Sequence, residues 1–169
     1  RDGLGQLWIT LNLDMGDHTD NKAPWRGWGG ILGPDGKFVP MVAGLRSPCG
    51  LGRNLAGDMF CVDQQGTWIP TTPIYHLRKG AFFLNPEGIA SETRPESPLK
   101  LSAKIPANRP YPEALKALPE MRPPAVWMPY NKMGRSGTDL ATCAAGGRFG
   151  PFDGQMFVAE FTDAKISRV

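Results

Sequence analysis

The chain has 169 residues, 41% of them apolar, a net charge of +3, and five Trp, eight Phe and three Tyr. That aromatic content excludes a disordered chain, which lacks the residues to bury enough apolar area against chain entropy; the length suits one or two domains. Arg and Lys are scattered, with no basic run or stripe, which argues against nucleic-acid binding, and no run approaches the roughly 18 apolar residues needed to span a bilayer.

The 21 Gly and 17 Pro read as turn punctuation in a folded, turn-rich protein. Cys49, Cys61 and Cys143 form no CxxC or CxxCH, so neither a zinc ribbon nor a c-type haem attachment is encoded. An odd count argues against a complete disulfide framework; a Cys49–Cys61 pair and free buried thiols both stay open. The chain starts Arg-Asp-Gly, without an initiator Met or signal peptide, and ends Ile-Ser-Arg-Val inside a predicted strand, so both ends read as cut from something longer.

In chain order, the first predicted element is the strand GQLWIT, beginning at Gly5. Asp17, His18 and Asp20 follow; they could bind a metal or serve acid–base chemistry, and a solvated loop is the favoured reading. Trp25 to Leu45 reads as strand, Gly-Pro-Asp-Gly turn, strand, with Pro34 at the first central position and Asp35 able to bond its own backbone. Arg46 to Asn54 is a loop into the next strand, GDMFCV, which begins at Gly57 and runs into Asp63-Gln64-Gln65-Gly66 and Trp68. Thr71 to Leu84 reads as a strand pair around Lys79-Gly80, with His76 on the sheet surface. Asn85 to Arg122 is proline-rich and loses the turn-to-strand rhythm, so residues 85–122 are read as an irregular insertion on the surface. Within it PEALKAL (Pro112 to Leu118) predicts two helical turns, with proline in the first turn where its missing N–H costs nothing. A last strand, GQMFVA, begins at Gly154.

The three strands opening at Gly5, Gly57 and Gly154 share a pattern: Gly, Gln or Asp, Leu or Met, Trp or Phe, then two small or β-branched residues. Each is followed within two residues by a position that can carry a carboxylate or mark a strand end. The second interval is close to twice the first. A repeat of about 50 residues predicts the blades of a β-propeller, each a small antiparallel sheet. The expectation is an all-β, single-domain partial propeller of about three blades, with the insertion accounting for the longer interval. Glycine permits the turn with φ > 0, and Trp8, Trp25, Trp28 and Trp68 are expected to fill the wedges between sheets.

Gly44 to Trp68, GLRSPCGLGRNLAGDMFCVDQQGTW, resembles the Gly-Leu-Arg-Asn-Pro-Gln-Gly signature of the soluble glucose/sorbosone dehydrogenase family, six-bladed propellers that use pyrroloquinoline quinone (PQQ) and calcium. TTPIYHLRKGAFFLNPEGI, AVWMPYNKMGRSG and GGRFGPFDGQMFVAEFTDAKISRV are similar to its bacterial branch of membrane-bound or haem-linked dehydrogenases, commonly exported and in some cases fused to a cytochrome c domain. The resemblance covers nearly the whole chain except residues 87–121. It implies oxidation of a sugar or alcohol by hydride transfer to PQQ, an exported, periplasmic setting and a cytochrome c acceptor. It places Arg46 and Ser47 on the quinone carboxylates, Trp127 near the quinone, and Asp63, Gln64 and Gln65 where backbone carbonyls of the family's strand end bind calcium. A guanidinium fork suits a tricarboxylate, and oxygen donors suit calcium. The sequence departs from the family at Ser47 and Cys49 and lacks the Gly-Pro pair after Gln65. The family's catalytic histidine falls upstream of Arg1, and neither His18 nor His76 aligns with it. A propeller that keeps the scaffold and binds a glycan or protein without turnover is the alternative.

Overall fold

The computed structural model describes residues 1–13, 23–65, 69, 71–83, 85–106 and 108–169; Asp17, His18, Asp20, Gly66 and Trp68 lie outside them. Among these residues the strands are β1 (Leu7–Thr10), β2 (Trp28–Leu32), β3 (Phe38–Ala43), β4 (Gly50–Arg53), β5 (Met59–Val62), β6 (Thr72–His76), β7 (Ala81–Phe82), β8 (Val126–Met128), β9 (Gly137–Thr142), β10 (Met156–Glu160) and β11 (Lys165–Arg168), with one α-helix, α1 (Tyr111–Ala117). They form three sheets, ordered β1-β2-β3-β7, β4-β5-β6-β8 and β9-β10-β11.

The repeat is physical. Gly5, Gly57 and Gly154 have φ of +80°, +92° and +81°, a left-handed turn conformation that glycine adopts without steric cost. Two residues after each glycine a strand begins, β1, β5 and β10, one in each sheet. The chain is thus an all-β stack of three propeller-like blades, not closed into a barrel.

Alternation along the strands settles which blade meets which. Trp8, Val42 and Leu45 of blade one pack with Met59, Cys61 and Tyr75 of blade two. Val62, Ile74 and Met128 of blade two pack with Leu140 and Val158 of blade three. Cys61 and its neighbour Val62 therefore face opposite blades. The innermost strands approach closely: a Cβ on Gly50 or Gly52 of β4 would lie 2.5 Å from Asp139 Cα or 2.4 Å from Leu140 Cδ1 on β9.

The segment joining β6 to β8 departs from expectation. The Lys79-Gly80 turn does not fold β7 back on β6; β7 instead pairs parallel with β3 on the edge of blade one, and Met121 bridges Phe82 in parallel beyond it. The proline-rich insertion is also more than a surface excursion. Leu99, Ala114, Leu118 and Met121 are fully buried with Trp28, Ala43 and Phe82, on the face of blade one turned away from blade two. The chain of blade two thus straps blade one. Trp25 packs edge-on against Trp28, ring centroids 5.1 Å apart, and α1 falls where PEALKAL predicts it. All three cysteines are free: Cys49 exposed, Cys61 buried, Cys143 half-buried.

Candidate functional site

In an up-and-down sheet, the β5–β6 and β10–β11 loops lie at the same end as the loops that enter β4 and β9. Arg46 and Ser47 belong to the loop into β4, and Asp63 to Gln65 follow β5, so the fold brings these five together. The organising group is Asp63. Its carboxylate is 1% exposed and accepts from three backbone amides: Arg46 at 2.8 Å, Ser47 at 2.7 Å and Gln64 at 2.8 Å. Burial pushes its pKa up to about 6, against those three amides and the nearby Arg46 charge. Asp63 is thus a latch that fastens the Arg46 loop to the end of β5.

The neighbours complete the arrangement. Gln64 Nε2 donates to the Gly137 carbonyl at 2.9 Å, tying the latch to β9 of blade three. Gln65 Oε1 is buried with no hydrogen-bond partner. Asn12 Nδ2 donates to Ser47 Oγ at 3.4 Å, and Cys49 is exposed beside them, its thiol 3.8 Å from Gln64 Nε2. The Arg46 backbone carbonyl accepts from Leu13 and its amide serves the latch; its guanidinium makes no hydrogen bond to a described residue.

Trp127 is not brought into this group. It lies on β8 opposite Pro73, two strands outward from Asp63, and its ring meets Tyr111 of α1 edge-on at 5.0 Å. His76 sits at the opposite end of blade two, stacked on Phe60 at 4.6 Å with Nε2 3.7 Å from Asp58; burial, then Arg78, lower its pKa and keep the ring neutral near pH 7.

The loop into β9 holds an arrangement that the sequence reading did not single out. Glu160, six residues after Gly154 as Asp63 is six after Gly57, accepts from the amides of Arg135 at 3.2 Å, Ser136 at 2.8 Å, Thr162 at 3.0 Å and Asp163 at 2.6 Å. Burial raises its pKa, but the amides, Asp163 foremost, outweigh this and hold it at about 2. An Arg-Ser pair fastened through its backbone to a strand-end carboxylate therefore occurs in two adjacent blades.

The donor set can be tested against the groups that the family resemblance implies. Carboxylates of a quinone fit Arg46, whose fork makes no hydrogen bond to a described residue. Calcium at this strand end would be held by backbone carbonyls, which need no particular side chain; of the side chains there, the Asp63 oxygens accept from amides and Gln65 Oε1 is buried without a partner.

The chain matches no protein-family profile, and no curated protein matches its sequence. Its fold is similar to the crystal structure of a candidate oxidoreductase (glucose dehydrogenase) from Thermus thermophilus, with a TM-score of 0.57 at 15% identity. The match covers 99% of this chain and 44% of that one, so the chain spans under half the length of the protein it resembles. The likeness establishes a shared fold. Among the described residues no helix is long and apolar enough to cross a membrane.

Proposed function

We propose that this chain is part of a propeller oxidoreductase that oxidises a sugar or alcohol, with the end of the blades carrying Arg46 as its cofactor face. The observation behind this reading is the latch: Asp63 spends its carboxylate on the backbone of Arg46 and Ser47, which holds the loop rigidly while leaving the Arg46 guanidinium for a ligand. PQQ would bring carboxylates to that fork and supply a hydride acceptor. This chain's own part is to bind and orient: Arg46 by a bidentate contact and Ser47 by its hydroxyl. Calcium is proposed with PQQ by family resemblance, and no step is derived through it.

One observation favours a second reading, a binding propeller without turnover. Trp127, two strands outward from Asp63, sets its ring edge-on against Tyr111, which supports a face without an aromatic platform beside Arg46. A titration with PQQ and calcium separates the two, followed by absorbance and by reduction with a panel of sugars. Saturable binding with sugar-dependent reduction supports the oxidoreductase; an intact fold that binds neither supports the binding module.

A further inference from the structure

Arg46 has a counterpart one blade along. The Arg135 and Ser136 amides donate to Glu160 as the Arg46 and Ser47 amides donate to Asp63. Because each latch uses the backbone, it leaves the guanidinium out. Arg135 is only loosely engaged by its own fold. Its Nε is buried without a hydrogen-bond partner and makes a long ion pair with Asp163 Oδ1 at 3.8 Å, beyond hydrogen-bond length, while that aspartate is also held at 3.0 Å by Lys165; the terminal nitrogens are left for a ligand. The side chain keeps 42% of its surface exposed.

The two loops abut. Gln64, next to the first latch, donates to the Gly137 carbonyl at 2.9 Å, and Thr72 Oγ1 contacts the Gly134 carbonyl at 3.4 Å. A Cβ on Gly137 would stand 2.1 Å from Val62 Cγ1, so the loop carrying Arg135 is pressed onto the strand end that carries Asp63. We propose that Arg46 and Arg135 together form an anion site spanning blades two and three, for a ligand bearing at least two carboxylates. The proposal rests on the reading of Arg46 as an anion contact and extends it to a second residue. Two like-charged forks on neighbouring loops repel until an anion lies between them, and a rigid ligand with separated carboxylates can serve both, whereas a small monovalent anion serves one.

The test uses the 169-residue chain with PQQ and citrate as separate probes, titrated by calorimetry at two salt concentrations. Arg46→Gln and Arg135→Gln should each weaken PQQ binding about 10- to 100-fold, the span expected of a charge-assisted hydrogen bond. Arg135→Lys should recover part of that loss, since it restores charge without the planar fork. PQQ binding that falls with Arg46→Gln and is unchanged by Arg135→Gln overturns the two-blade site while leaving the quinone reading standing. Citrate binding that needs both arginines, without PQQ binding, supports the site and overturns the quinone reading. A chain that binds neither probe overturns both. If Arg135→Gln does not fold, Asp163→Asn serves instead: it frees Arg135 of its acidic neighbour and should tighten binding a few-fold, and weaker or unchanged binding overturns the proposal.

Discussion

The three repeat glycines make a graded experiment, because they share a conformation and differ in what surrounds them. Alanine at any of them must adopt φ near +80° to +92°, which costs about 1–2 kcal/mol. At Gly5 a Cβ meets nothing within 4 Å, and at Gly154 it meets Leu55 Cδ1 at 3.5 Å, an ordinary contact; Gly5→Ala and Gly154→Ala should cost only the conformational term. At Gly57 the Cβ would lie 2.6 Å from Gly3 Cα and 3.1 Å from Gly3 N. That neighbour is backbone, tied to Gly57 by the Gly3 amide donating to the Gly57 carbonyl at 3.1 Å, so no rotamer change can relieve the clash.

Overpacking of this kind adds about 1–3 kcal/mol. Gly57→Ala should therefore lose about 2–5 kcal/mol in all, against 1–2 for the other two. At about 2–4 °C per kcal/mol for a chain of this size, Gly57→Ala should melt roughly 10 °C below the wild type and the others about 4 °C below. Thermal and urea denaturation followed by tryptophan fluorescence measure this. If Gly57→Ala is no worse than Gly5→Ala, blades one and two do not meet at these turns and the blade contact argued from the packing of Trp8, Met59 and Cys61 is wrong.

Other consequences are as concrete. Leu118→Ala, in the insertion, should cost about 2–5 kcal/mol in urea denaturation, because its side chain is fully buried against blade one; a change under about 0.5 kcal/mol, the value for a solvated surface site, would return the insertion to a surface loop. The two latches should respond oppositely to pH. Glu160, held at about 2 from an ordinary 4.5, contributes stability that is present above pH 4.5 and lost as pH falls toward 2, and Glu160→Gln should remove that loss. Asp63, raised from 3.8 to about 6, contributes most below pH 3.8 and loses that contribution as pH rises through 6, so Asp63→Asn should flatten stability between pH 4 and 7; identical pH profiles for Asp63→Asn and wild type would show that Asp63 does not titrate in this window. Exposed Leu4, Leu7 and Val39 on blade one and Phe149, Phe161 and Ile166 on blade three predict self-association of this chain, seen as a scattering mass that rises with concentration; a constant monomer mass up to high concentration would refute it.

What could be read from the sequence is what is local. Gly5, Gly57 and Gly154 announce three strands because a left-handed turn needs glycine and the next residues alternate into a sheet. Pro112 announces α1 for a similar reason. β7 gave no such sign: two residues, Ala81 and Phe82, pair with Val42 and Ala43 far back in the chain, and a strand that short has no period to detect. Asp63 was legible as a strand-end carboxylate. Its partners were not, since whether its oxygens meet a metal or amides depends on the path of the loop from Gly44 to Cys49. The Glu160 latch did leave a trace, a carboxylate at the same offset from its repeat glycine as Asp63. The first repeat hides the rule, having Leu11 at that offset.

These latches bear on how a fold can persist at 15% identity. The turns require glycine, and in blades two and three the strand end uses one carboxylate, whose partners are main-chain amides that any residue but proline provides. Arg46, Ser47, Arg135 and Ser136 can therefore change without loosening the loops they occupy, and Cys49 can stand where the resembled family has glutamine. Of these side chains Ser47 accepts one long bond from Asn12 and Arg135 makes one long ion pair with Asp163, so the backbone latch carries most of the hold. Shared architecture consequently says little about what is bound, and the proposed anion site rests on the two guanidinium groups outside the latches.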